Sequence, residues 1–251
     1  MLQEARDALR EFASETDAVI LQRFFKTGPG EYGEGDRFLG VRVPATRKIA
    51  RVFRAMPLAD AQTLLASEIH EERLLALLIM IGRYQRGTAN QKQDIFDLYL
   101  ANTRHINNWD LVDVSAEHVV GAHLWDKSRA PLSNLARSAD LWERRIAVMA
   151  TFHFIKKNQF DETLRIAELL LSDSHDLIHK AVGWMLREIG KRDLDAEEDF
   201  LRSRHQHMPR TMLRYAIEKF PEEKRQQYLL KDRRSGVDRA ARLTIETREG
   251  G

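Results

Sequence analysis

The chain has 251 residues, 43% hydrophobic and 31% charged, with a net charge of +2 and no cysteine. Disulfides, zinc–thiolate centres and thiol catalysis are thereby excluded, and a reducing cytoplasm is the expected compartment. A pI near 8.8 permits a polyanionic partner without demanding one.

The first fifteen residues, "MLQEARDALREFASE", are amphipathic and lack the apolar core of a signal peptide. No run approaches the roughly 20 apolar residues that a membrane span needs, so no membrane association is expected. Apolar residues recur at helical spacing over 2–25, 44–55, 58–66, 71–86, 89–101 and 109–124, and again over 141–157, 161–171, 175–191, 195–204, 209–219 and 222–230. No stretch alternates with a period of two. Pro44, Pro57, Pro131, Pro209 and Pro221 sit at segment starts, and Asp60, Asp140 and Ser174 fit N-caps. The class predicted is all-α.

Two segments depart from this pattern. "KTGPGEYGEGDRFLG" (26–40) is glycine-rich, but it carries Glu31, Glu34 and Asp36 and lacks a Gly-Lys-Ser/Thr ending. It reads as an ordinary surface loop. The highly charged tail 231–251 reads as frayed, leaving 1–230 as one domain.

A longer period overlies the helical one. "EERLLALLIMIGRY" (71–84), "WERRIAVMATFHFI" (142–155), "HKAVGWMLREIGKR" (179–192) and "TMLRYAIEKF" (211–220) share a charged opening and a small central residue. Arg73 and Arg145 stand 72 positions apart, with the Trp109 segment midway. Later units fall at about 32 to 37 residues, the range of helical-pair repeats, which stack into a solenoid with a concave binding surface.

Histidine spacing offers no metal site: His118 and His123 are five apart, and His175 and His179 lack a third ligand. Basic stripes are more informative. Arg47, Arg51 and Arg54 form one edge, Arg144, Arg145, Lys156 and Lys157 a second, and Lys180, Arg187, Lys191 and Arg192 a third. Each alone fits a solvated helix face; three at related places in successive repeats would align as a track for a polyanion. Trp184 shares a face with Lys180 and Arg187, whereas Trp125 and Trp142 fit the core. In "NNWDLVDV" (107–114), Trp109 and Asp113 lie one turn apart. Asp110 sits at the helix start, where a carboxylate complements the dipole. Asp113 is deeper, and burying it demands a cationic partner. Arg145, one repeat on, is the natural candidate. The pair could stabilise a transient cation or be a structural bridge between repeats.

Three motifs together resemble the AlkD-like DNA alkylation repair family, alkylpurine DNA glycosylases built of HEAT-like repeats. They are "NNWDLVDVSAEHVVG" (107–121), "LWERRIAVMATFHFIKK" (141–157) and "LIHKAVGWMLREIGKR" (177–192). The resemblance spans about residues 10 to 225. It implies a HEAT-like solenoid with a concave basic face and a monofunctional enzyme without a cofactor. The implied reaction removes cationic 3-methyl- and 7-methylpurines from double-stranded DNA gripped without a deep base pocket. It places the catalytic aspartate on Asp113, the pocket tryptophans on Trp109 and Trp184, and the supporting arginine on Arg145. A family tyrosine falls on Phe24, a phosphate-facing lysine on His153, and the residue before Trp109, often Trp, is Asn108. Lys180, Arg187, Arg47 and Arg51 are the remaining candidate DNA contacts, and a monomer is expected. A catalytically silent binder of unusual DNA is the alternative, and a protein–protein scaffold a third.

Overall fold

Local signals set most helix ends in the structure, a computed structural model that describes residues 1–230; the tail 231–251 lies outside the described residues. The helices are α1 (Leu2–Arg10), α2 (Glu15–Phe24), α3 (Val43–Val52), α4 (Leu58–Leu65) and α5 (His70–Arg86), followed by α6 (Ala89–Ala101) and α7 (Trp109–Ala116). The second half holds α8 (Ala130–Ala136), α9 (Leu141–Ala150), α10 (Phe152–Ile155), α11 (Asp161–Leu169) and α12 (Asp176–Gly190), then α13 (Leu194–Arg202), α14 (Arg210–Ala216) and α15 (Glu222–Leu229). Asp140 caps α9 by accepting from the N–H groups of Trp142 and Glu143. His175 caps α12 in place of the expected Ser174, and Pro57 rather than Asp60 stands before α4.

The segment 2–25 is two helices, not one. The chain turns at 11–14, and Ser14 accepts from the Asp17 N–H to start α2. Likewise 141–157 breaks at Thr151, and α8 forms behind Pro131 where no helical period was legible. Among the described residues there is no strand, only an isolated parallel bridge between Arg37 and Ile69.

The helices stack in two layers. One layer runs α3–α5–α7–α9–α12–α14, each member packing on the next, while α4, α6, α8, α11 and α13 back it. This is the helical-repeat arrangement expected, and one apolar core extends continuously from Ala5 to Phe220. Small residues set the spacing within the first layer. A Cβ on Gly121 would lie 2.1 Å from the Ala150 carbonyl oxygen, and one on Gly183 2.4 Å from that of Met212. Neither approach leaves room for a side chain.

Beyond Ala116, α7 continues as a wide π turn over Glu117–Gly121. Such turns insert one residue into a helix and rotate the face presented by the residues beyond it. His118, one turn after Val114, lines the same cleft as Asp113 and Val114.

Candidate active site

Asp113 and Arg145 meet as a bidentate pair. Arg145 donates from Nε to Asp113 Oδ1 at 2.9 Å and from Nη2 to Oδ2 at 2.8 Å. Its Nη1 donates to the Leu177 carbonyl at 2.6 Å. One side chain thus joins α7, α9 and the entry of α12, which is why the fork geometry of arginine is needed there. The Asp113 side chain is 16% exposed and that of Arg145 6%. Burial raises the Asp113 carboxyl above its ordinary value; the charge and hydrogen bonds of Arg145 oppose this, and the charge of Asp110 adds to it.

Asp113 forms part of the wall of a cleft of about 570 Å³ whose other sides come from α3 and α5. Arg47, Arg51, Arg54 and Arg86 line it together with Gln85 and His118. Arg47, Arg51, Arg54 and Arg86 are exposed. A carboxylate in the wall of an arginine-lined cleft is suited to a polyanion carrying a developing positive charge.

The other two basic stripes behave differently from the aligned track predicted. Arg144 binds Asp173 at 2.7 Å, Lys156 binds Glu117 at 2.6 Å, and Lys180 binds Asp176 at 2.6 Å. Arg187 pairs with Glu218, while Lys191 and Arg192 both reach Glu188. Most of these cations are therefore matched by acids of the same or a neighbouring repeat. Arg187 in particular keeps only 16% of its side chain exposed and reaches from α12 to Glu218, just beyond α14.

Aromatic residues at the end of α2 pack on Trp109. Phe24 is 60% exposed and meets the Trp109 ring edge-on at 5.9 Å. Phe25 stacks on the same indole at 5.3 Å. Tyr32, from the glycine-rich loop, meets the Trp142 ring edge-on at 6.0 Å. Its pKa is raised by burial, with hydrogen bonding to Trp109 and the charge of Lys180 opposing. Trp184 is half-buried beside Phe152, and its indole N–H donates to Glu188 at 3.2 Å. His153 is half-buried against Trp125 at 5.8 Å, with its pKa lowered first by burial and then by Lys157.

The 26–40 loop is not the ordinary surface loop its acids suggested. Asp36 is buried and accepts from Arg73 at 2.5 Å, from Asn108 at 3.2 Å and from His70 at 3.0 Å. His70 also contacts Asp110 at 2.8 Å. Glu71 closes the end of the loop by accepting from the N–H groups of Leu39, Gly40 and Val41. Sequence reasoning missed Asp36, His70 and Tyr32. Glycine density pointed to flexibility, and nothing local marks one loop acid as buried.

Fold and site together define an all-helical repeat protein that presents a clamped carboxylate beside an arginine-lined cleft and an aromatic cluster. Residues 5–220 match the family described as DNA alkylation repair enzyme, and the chain belongs to that family, with its role in DNA repair. Among solved structures, one described as a predicted DNA alkylation repair enzyme from Enterococcus faecalis superimposes with a TM-score of 0.68 at 14% identity, covering 84% of this chain and 97% of its own. Another, smu.31 from Streptococcus mutans UA159, gives a TM-score of 0.48 at 18% identity, covering 92% of this chain and 98% of its own. No curated protein matches by sequence. Among the described residues no helix is long and apolar enough to cross a membrane.

Proposed function

We propose that the protein is a DNA glycosylase that hydrolyses the N-glycosidic bond of cationic alkylated purines in duplex DNA. The observation that carries this reading is the bidentate Asp113–Arg145 pair, whose carboxylate forms part of the wall of the arginine-lined cleft. Alkylation at N3 or N7 already makes the purine a good leaving group, so no general acid is required at the base. The C1′–N bond breaks with its electron pair leaving on the base, which departs as a neutral methylpurine. Positive charge develops on the sugar, and an ionised Asp113 stabilises it electrostatically. Water adds at C1′, and its proton passes to Asp113 or to solvent.

Arg145 fixes the carboxylate so that no reorientation is needed as the charge develops. Trp109 and Trp184 offer π-faces to the cationic lesion and sugar, with Phe24 extending the Trp109 wall. Arg47 and Arg51 hold backbone phosphates in the cleft, and Lys180 and His153 are candidate contacts outside it. Arg187, which is paired with Glu218, is the remaining candidate contact. The chain acts without a cofactor and as a monomer, on one domain spanning 1–230.

The test is release of 7-methylguanine from methylated duplex DNA by the wild type and by Asp113→Asn, with thermal melts of both. Release by the wild type and its loss, by 100-fold or more on the scale of removing one electrostatic stabiliser, in a folded Asp113→Asn supports the reading. If neither protein releases methylpurine while DNA binding persists, the protein is a binder of unusual DNA and Asp113–Arg145 is a bridge between repeats.

A further inference from the structure

A buried ion cluster lies at the first turn of α7, apart from the groups that face the sugar and base in the glycosylase mechanism. His70 opens α5 and is 2% exposed, with Nε2 2.8 Å from Asp110 Oδ2 and Nδ1 3.0 Å from Asp36 Oδ2. A neutral imidazole has one donor and one lone pair, so it would turn that lone pair against one of the two carboxylates. Only the imidazolium donates to both. Charge counting agrees: Asp36 and Asp110 are matched by Arg73 and a protonated His70, and by nothing less.

The ring is also packed into the site. Phe38 stacks on it at 4.6 Å and Phe25 leans on it at 4.9 Å, while Phe25 stacks in turn on Trp109. Backbone bonds on both sides fix its place: the His70 N–H donates to the Arg37 carbonyl at 2.8 Å, and the Arg37 N–H to that of Glu68 at 3.3 Å. Asn108 reaches Asp36 with its amide nitrogen while its Oδ1 accepts from the Trp109 N–H at 2.8 Å. The glycine-rich loop, α5 and the start of α7 therefore converge on this one imidazole.

We propose that His70, as an imidazolium clamped between Asp36 and Asp110, is a positioning residue of the active site that pins the 26–40 loop to α7 and offsets the charge of Asp110 next to Asp113. This deepens the glycosylase reading, on which its catalytic consequence rests. Asp110 and Asp113 lie three residues apart on one helix, close enough for an uncompensated Asp110 to hinder ionisation of Asp113. The charged groups facing His70 are Asp36 from the loop, Asp110 from α7 and Arg73 from α5. Asp113 faces Arg145 from α9 and Asp110 from its own helix, with Tyr99 of α6 behind and the arginines of the cleft in front. Burial alone would lower the pKa of His70; the charge of Asp110 and the bonds to both aspartates overrule it and push it up to about 9.

The first experiment is ¹⁵N NMR of the His70 ring in the wild type at pH 7.5. Both nitrogens protonated is the expected result, and a neutral ring overturns the proposal. The second is a ¹³C carboxyl titration of Asp113, assigned through Asp113→Asn. In His70→Gln the Asp113 midpoint is expected to rise by about 1 pH unit, the scale of one uncovered charge a helical turn away. In His70→Gln/Asp110→Asn it is expected to return to the wild-type value. A midpoint unmoved in a folded His70→Gln overturns the proposal, since loss of a packing residue alone would not move it selectively. Should that variant not fold, Asp110→Asn carries the test at a part-exposed position. There the Asp113 midpoint must fall, and an unchanged one overturns the proposal. The acid limb of 7-methylguanine release should track the same midpoints. If the wild type releases no methylpurine, the glycosylase reading fails while the NMR midpoints still decide the role of His70.

Discussion

Asp113 is under two opposed influences, and their balance decides what its variants should do. Burial raises its carboxyl and the Arg145 guanidinium pulls it down without cancelling the shift. The folded chain therefore holds a proton on Asp113 more readily than the unfolded chain does. For this group stability is fullest below the unfolded pKa and falls as pH rises through the folded one. Asp113→Asn removes that dependence. It is expected to fold, since Arg145 keeps the Leu177 carbonyl and one of its two acceptors at position 113, the amide oxygen. Its melting temperature relative to the wild type should improve as pH rises through the Asp113 midpoint, and calorimetry at several pH values checks the sign. Arg145 is the less replaceable partner. Arg145→Met leaves a part-buried carboxylate without a counter-charge, a change that typically costs about 3–5 kcal/mol in buried pairs. Arg145→Lys supplies a charge but neither the fork nor the reach to a third helix. Both should lower methylpurine release at neutral pH, Met more than Lys, and single-turnover assays would measure the order.

Helix packing makes its own predictions. Gly183 lets α12 approach α14 closely enough that a methyl group would strike the Met212 carbonyl oxygen. Gly183→Ala is expected to destabilise the fold by about 1–3 kcal/mol, the usual cost of overpacking, visible as a lower urea midpoint. Glu197 of α13 is buried, and one of its carboxyl oxygens has no partner among the described residues. Burial, with the charge of Glu198, pushes it up to about 8 against the pull of Arg187. Its contribution to stability is thus fully present below the ordinary 4.5 and lost as pH rises through about 8. The slope within that window is about 1.4 kcal/mol per pH unit. Glu197→Gln should flatten it, matching the wild type near the acid end and exceeding it at pH 8. Helices of this kind were legible in the sequence because each turns one apolar face to a partner layer. The breaks were not. Thr151 and the 11–14 turn interrupt patterns that remain periodic across them, so periodicity counted two helices as one. The Asp113–Arg145 pair was legible because a deep aspartate needs a cation and the repeat places one. His70 was not, because Asp36 and Asp110 are 34 and 40 residues away in sequence and neither is marked by its neighbours.

Across the whole molecule, ion pairs recur at nearly one repeat length. Arg145 and Asp113 are 32 residues apart, Arg144 and Asp173 29, and Arg187 and Glu218 31. A solenoid places equivalent positions of adjacent repeats side by side, so a basic residue on one helix meets an acid on the next. This is why reading the stripes from sequence alone overstated the polyanion track: each stripe showed the cations without the acids that neutralise them. What remains open is the α3–α5 cleft, whose arginines face outward beside Asp113. The two groups of cations should separate in one experiment. If the protein binds duplex DNA through this cleft, Arg51→Ala and Arg54→Ala each remove about one phosphate contact. Each should then reduce the slope of log affinity against log salt by about 1, with little effect on the melting temperature. Arg144→Ala breaks a pair with Asp173 and should do the reverse, lowering the melting temperature while leaving the salt slope unchanged. Equal slopes for wild type, Arg51→Ala and Arg54→Ala would move the DNA path away from this cleft and onto the α9–α12 side, where Lys157 and Lys180 would then be the residues to test.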